Sequence, residues 1–139
     1  MSKGTQMVCT KASFRIIGKD LDPSEITNLL KIHPDQFHRC GDPNMSKLGR
    51  RYADFTEGLW AFHSPADETQ SIDAHLEALV AKFWQHRDLL QEFRSRGYKI
   101  DIFIGIFGID DNLGFVLKNT LLTRVMQLGV DLDLDLYPS

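Results

Sequence analysis

The chain of 139 residues has few cysteines and no long apolar run. Two cysteines, Cys9 and Cys40, are too few for the disulfide framework of a small secreted domain, and two buried thiols are the simpler expectation. No apolar stretch approaches the roughly 20 residues that a membrane-spanning helix needs. Residues 1–6 are polar and lack the apolar centre of a signal peptide. We therefore expect a reduced cytoplasmic protein with no membrane partner.

Positive charge is also scarce. Residues 1–58 carry nine Lys/Arg against seven Asp/Glu, residues 59–139 carry seven against twelve, and the net charge is −3. Nucleic-acid affinity comes largely from the neutralisation of phosphates by basic residues. Because this chain is acidic and has no basic stripe, we expect no nucleic-acid partner. The length suits one domain over 1–139, with residues 1–8 as a flexible N-terminal segment.

A strong metal or catalytic motif is missing as well. Zinc needs three or four convergent nitrogen or sulfur ligands, usually with a closely spaced pair. The candidates are His33, His38, Cys40 and His63, of which only His38 and Cys40 are close in sequence. Cys40 with a histidine base beside Arg39 would be a conceivable nucleophile, but no oxyanion-hole motif accompanies it. We expect no metal, no cofactor and no catalytic residue.

Apolar periodicity is the main positive signal. It predicts strands at 9–17, 59–62, 98–107 and 130–137, with weaker extended segments at 37–40, 52–55 and 114–117. Helices are predicted from Asp22 to a point before Pro34, over 71–96 with a break near Trp84–His86, and over 119–128. This order predicts an α+β fold, with an antiparallel or mixed β-sheet and three to four helices packed mainly on one face.

The last predicted strand is amphipathic. Its aliphatic residues alternate with Asp131, Asp133 and Asp135, so the aspartates lie on one face of the sheet. Such a row is most simply a solvated strand face, partly paired with Lys11 or Arg15 on a neighbouring strand. If the strand at 98–107 lies alongside, its aromatic residues join the acidic row and form the kind of charged, aromatic surface that binds proteins. The predicted partner-binding residues are Asp101, Phe103, Asp131, Asp133, Asp135 and Tyr137. The competing interpretation is that a further layer covers Phe103 and Phe107 as core.

Residues 35–58 form a long segment punctuated by glycine and proline, and long loops of this kind are often functional. Its positive residues support an alternative site for an anionic ligand. The residues of that alternative are Arg39, Lys47, Arg50, Arg51 and Trp60.

Several short motifs in the chain occur together in one known family. They are Ile17-Gly18 leading into Leu21–Thr27, His33-Pro34, Cys40-Gly41-Asp42, Leu59-Trp60 and the closing stretch 128–137. In this order they resemble the bacterial domain-of-unknown-function 4279 family, over nearly the whole chain from about residue 10. The resemblance implies no catalytic set. By analogy with other small bacterial domains, it implies an immunity protein that binds and neutralises a cognate toxin.

We therefore expect binding and not catalysis. The leading hypothesis is a protein-binding domain of the immunity type, which blocks a toxin through its acidic sheet face or the 35–58 loop. The alternative is a small enzyme or ligand-binding domain that uses the loop to hold an anionic ligand. A third alternative is a homo-oligomer formed through an open strand edge.

Overall fold

A computed structural model describes residues 8–45, 49–109 and 114–138. The strands are β1 (Cys9–Gly18), β2 (Gln36–His38), β3 (Asn44–Met45), β4 (Arg51–Tyr52), β5 (Gly58–His63), β6 (Lys99–Ile109) and β7 (Asp131–Pro138). The helices are α1 (Pro23–Leu30), α2 (Ile72–Phe83), α3 (Arg87–Ser95) and α4 (Asn119–Leu128), with a 3₁₀ turn at Trp84–His86 between α2 and α3. The α+β prediction is confirmed. Lys47 and residues 1–7 of the predicted N-terminal segment lie outside the described residues.

Five strands form one mixed sheet in the order β2-β5-β1-β6-β7. All neighbours in it are antiparallel except β6 and β7, which run parallel. Parallel neighbours need a crossover connection, and α4 provides it between these two strands. The two short strands β3 and β4 pair separately as a small antiparallel ribbon. The result is that β7 lies at one edge of the sheet and β2 at the other.

Local sequence signals explain where the helices begin and end. The Asp22 carboxylate accepts a hydrogen bond from the backbone N–H two residues on and caps α1. Ser71 caps α2 in a similar way, because its hydroxyl oxygen accepts a hydrogen bond from the backbone N–H of Ala74, three residues on. The predicted break near Trp84–His86 is confirmed, and Gly129 ends α4 with a φ of +74°. Among the described residues, no helix is long and apolar enough to span a bilayer.

All four helices pack on one face of the sheet, where the alternate apolar residues of β1 and β6 form the core. Phe14 stacks on Phe83 with 3.7 Å between ring centroids. Trp60 packs edge-on against the same ring, and its indole N–H donates to Thr27 Oγ1 at 3.1 Å. Trp60 is fully buried on this side. It therefore faces the helices, and the expectation that it faces a ligand on the 35–58 loop is wrong.

The weaker sequence predictions are corrected in three places. Residues 114–117 form an irregular segment and not a strand, because the neighbouring position beside β6 is taken by β7. The extended segment predicted at 52–55 shortens to β4. Cys40 is exposed and Cys9 is half-buried, so neither is the buried thiol that the sequence predicted.

Candidate functional site: an uncovered acidic half of the sheet

The sheet face opposite the helices, here called the open face, is covered unevenly. On the side of β2 and β5, Phe55 covers part of it by stacking on His38, with 3.5 Å between ring centroids. On the side of β6 and β7, no described element lies over the strands, and Phe107 and Tyr137 are 36% and 40% exposed. The candidate site is this uncovered half, whose side chains come from alternate residues of β1, β6 and β7.

An arginine–aspartate pair lies at the centre of the open face. Arg15 and Asp101 are directly opposite each other in the β1–β6 register. The Arg15 guanidinium donates to both Asp101 oxygens, at 2.8 and 2.7 Å, and also to Asp133 Oδ2 at 3.3 Å. It lies over the Phe103 ring, 4.8 Å from the centroid. Because the Asp101 carboxylate accepts these hydrogen bonds, the pKa of Arg15 is raised and the guanidinium stays charged.

This pair changes the predicted role of Asp101. The Asp101 side chain is fully buried beneath its neighbours, whereas Arg15 is partly exposed. A buried carboxylate with a bidentate arginine partner holds that arginine in one geometry. Asp101 therefore positions Arg15 and does not offer its own oxygens to a partner, which corrects the expectation that it is a contact residue.

An aromatic pair lies next to the acidic row. The parallel register places Phe107 opposite Tyr137, and their rings stack 4.6 Å apart and 3° from parallel. The Tyr137 hydroxyl donates to Asp135 Oδ2 at 2.9 Å, and this bond raises the pKa of Tyr137. Gly105 provides the space for the aromatic ring, because a Cβ at that position would lie 3.0 Å from a Phe107 ring atom. The pair forms an exposed, fixed aromatic platform.

The edge strand β7 carries the acidic row itself. Asp133 is paired with Arg15, and Asp135 accepts from the Tyr137 hydroxyl. Asp131 has no ion pair among the residues that the structure describes. The opposite side of the strand exposes Leu134 and Leu136, at 38% and 56%. The row therefore retains negative charge, and the strand is amphipathic at the sheet edge.

Two arginines of the alternative loop site, Arg39 and Arg51, are each paired with a carboxylate. Arg39 is paired with Asp22, with 2.7 Å between guanidinium nitrogen and carboxylate oxygen. Arg51 pairs with Asp54 at 2.5 Å. Arg50 is exposed, Lys47 lies outside the described residues, and Trp60 is buried on the far face of the sheet. A cavity of about 200 Å³ lies beside this segment, but none of the described arginines lines it.

The nucleophile and metal candidates are also dispersed. Cys40 donates its thiol to the Thr56 carbonyl at 3.3 Å, and the His38 ring is occupied by its stack with Phe55. His38 pairs with Leu59 near the start of β5, whereas His63 is the last residue of β5, so the two histidines lie at opposite ends of that strand. Within the ranges 8–45, 49–109 and 114–138, no group of three or more metal-binding side chains is present.

Sequence reasoning missed a cavity of about 570 Å³ at the corner of the open face. It lies between β1 and the segment that follows β5, and its polar lining includes Lys11, Ser13 and Ser64. His75, buried in α2, has its Nδ1 2.8 Å from Ser64 Oγ. Burial lowers the pKa of His75, so the imidazole is held in its neutral form. No local sequence signal marks this corner, because its walls come from segments distant in sequence.

The comparisons with known proteins identify the family. The family model described as a domain of unknown function, DUF4279, matches residues 8–139. The chain belongs to the DUF4279 family. No curated protein and no solved structure shows significant similarity to it. Membership confirms the resemblance seen in the sequence motifs and assigns no activity, so the function of this DUF4279 domain has to be argued from its surface.

Proposed function

We propose that this DUF4279 domain is a non-catalytic protein-binding domain, and that its partner presents a cationic surface to the uncovered half of the sheet. The observation that carries the proposal is the exposed stack of Phe107 on Tyr137 beside the acidic row of β7. Aromatic anchors surrounded by charged residues are typical of the centre of protein interfaces.

The rigidity of this surface supports the proposal. The stacked rings lie on paired strands, and the neighbouring guanidinium of Arg15 is held by two hydrogen bonds to Asp101. Side chains that are already ordered lose little conformational freedom when a partner binds, so more of the contact energy appears as affinity. A flexible loop surface of the same composition lacks this advantage.

Charge indicates the class of partner. The carboxylates of Asp131, Asp133 and Asp135 share one face, and complementary positive charge speeds encounter and excludes wrong partners. Within the proposal, the partner is a cognate toxin with a cationic substrate cleft, which the domain neutralises in the bacterial cytoplasm as an immunity protein. Clefts that bind nucleic acid or nucleotides are cationic, which makes them suitable targets for an acidic sheet face.

The alternative proposal is a domain that holds an anionic ligand with the arginines of the 35–58 loop. It has less support, because Arg39 and Arg51 are each neutralised by a carboxylate. A ligand would have to displace those carboxylates before it gained a hydrogen bond.

The experiment starts from affinity purification of the tagged domain from its source cells, with the co-purifying protein identified by mass spectrometry. The two purified proteins are then titrated by calorimetry. Replacing both anchors, Phe107→Ala with Tyr137→Ala, is expected to weaken binding about 100-fold, which is about 2.7 kcal/mol in binding free energy. Truncating one central anchor costs about 2 kcal/mol or more, and the losses from two rings that act as one unit are not additive.

The matched control replaces two exposed aromatics on the loop side, Phe37→Ala with Tyr52→Ala. These side chains are 60% and 49% exposed, so they offer at least as much surface to a partner. The control is expected to keep the wild-type affinity. Equal weakening by both double variants, or an unchanged affinity with the first, contradicts the proposed site.

A further inference from the structure

The edge strand β7 is long and unprotected. It spans eight residues, and its inner side pairs with β6 from Asp101 to Ile109. No described strand pairs with its outer side, so that side presents backbone N–H and C=O groups to solvent. The opposite edge is β2, with only three residues. The sheet therefore offers one edge that is long enough to accept a further strand.

The edge lacks most of the features that usually prevent pairing. Natural edge strands are blunted by charged side chains, above all lysine, by proline, by bulges or by short length. In β7, the only proline is the last residue, Pro138, and the irregularity in the ladder lies beside it, between Phe107 and Ile109. The charged side chains of β7 are the row of three aspartates on one face, and two exposed leucines lie on the other.

These aspartates disfavour a second copy of this chain as the occupant. Two identical strands that pair antiparallel around a two-fold axis keep their helices on the same side of the joined sheet. Residues of the same face then lie opposite each other, so Asp131, Asp133 and Asp135 meet one another across the junction. Like charges directly opposite each other are destabilising. The same row favours a strand of opposite charge.

We propose that β7 accepts an extended segment of the partner as a sixth strand, with Lys or Arg at every second position and aliphatic residues between them. The basic residues lie opposite Asp131 and Asp135 on the same face of the sheet, because side chains of one face repeat every second residue on both strands. The aliphatic residues cover Leu134 and Leu136 on the other face. Backbone hydrogen bonds supply affinity and the alternation supplies specificity. This inference rests on the proposed function and specifies its binding mode.

The test uses a fluorescein-labelled ten-residue peptide of alternating Lys and Val, titrated against the full chain by fluorescence anisotropy. The expected Kd is about 100 μM or tighter, and a scrambled peptide of the same composition is expected to bind at least about tenfold more weakly. In the protein, Asp131→Asn with Asp135→Asn is expected to weaken binding about tenfold. The control Asp20→Asn with Glu77→Gln removes the same charge from exposed positions elsewhere and is expected to change the Kd less than about twofold.

Hydrogen exchange followed by NMR separates strand addition from simple charge attraction. Strand addition slows the exchange of the outward-pointing β7 amides when the alternating peptide is bound, whereas charge attraction leaves them unchanged. The proposal is overturned by absence of binding at about 1 mM, by equal affinity for the scrambled peptide, or by unprotected β7 amides. A natural partner that needs Phe107 and Tyr137 but leaves β7 unprotected would reject strand addition and keep the proposed function.

Discussion

The 35–58 loop and the uncovered half of the sheet both carry concentrated charge, but they use it differently. In the loop, Arg39 and Arg51 turn to nearby carboxylates and are neutralised. On the sheet, Arg15 is bound to the buried Asp101 and to Asp133, whereas Asp131 and Asp135 have no ion pair among the described residues, so negative charge remains. Clustered charge therefore indicates a binding surface only where the fold leaves part of it without an internal partner.

Removing the central arginine is expected to have the largest effect on stability. Arg15→Met leaves the fully buried Asp101 without its bidentate partner, and Lys99, 4.0 Å away, is left to compensate. We expect a loss of about 3 kcal/mol in the free energy of unfolding, because a buried charge without a partner is costly. Urea denaturation followed by circular dichroism measures it.

The matched change in the loop is Arg39→Met, which removes an ion pair whose two side chains are both about half exposed. Exposed pairs contribute about 0–1 kcal/mol, so the loop variant is expected to lose far less stability. The double variant Arg15→Met with Asp101→Leu is expected to recover most of the loss, since it removes the buried carboxylate together with its partner. Equal losses for Arg15→Met and Arg39→Met would contradict the difference drawn between the two regions.

A smaller effect is expected from the buried histidine at the corner of the sheet. Burial lowers the pKa of His75 in the folded protein below the ordinary value of 6.5. The unfolded chain therefore binds the proton more tightly, so the stability that neutral His75 contributes is complete above about pH 6.5 and is lost as pH falls towards its folded pKa. The slope for one such group is at most about 1.4 kcal/mol per pH unit.

Urea unfolding at about pH 7.5 and pH 5.5 tests this, because ordinary carboxylates stay ionised in that range. The wild type is expected to lose stability at the lower pH, and His75→Gln is expected to lose less, because it lacks the group whose pKa is lowered by burial. His38 has its pKa lowered by burial under the loop, so His38→Gln serves as the comparison from the other region. Identical pH dependence of stability in the wild type and both variants would show that neither histidine contributes to it.

The sequence predicted the elements far better than the pairing between them. Caps such as Asp22 and the breaks at Trp84–His86 and Gly129 are local, and each matches the structure. The terminal amphipathic strand was also predicted, because alternation is a property of the strand alone. The mixed character of the sheet remained open, since it depends on whether α4 crosses over between β6 and β7.

The site was predictable only in part, for the same physical reason. The acidic row of β7 follows from alternation, but the burial of Asp101 depends on Arg15, which lies 86 residues away in sequence. The expected ligand role of Trp60 failed because the register of β5 turns that residue towards α1, where it bonds Thr27. Charge and aromatic content were visible in the sequence, whereas their neutralisation and burial arise from contacts between distant strands.

The smallest expected effect concerns the loop and the natural partner. Arg50→Ala with Arg51→Ala removes two positive charges from exposed positions of the 35–58 segment, and Arg51 is already neutralised by Asp54. If the partner is cationic and binds the acidic half of the sheet, this change is expected to alter the Kd less than about twofold in a calorimetric titration. Asp131→Lys with Asp135→Lys is the opposing variant, and it is expected to abolish binding because it reverses the charge of the proposed interface. A large loss of affinity in the double arginine variant, with unchanged affinity in the double aspartate variant, would place the binding site on the loop. The loop would then bind the partner despite the ion pair between Arg51 and Asp54.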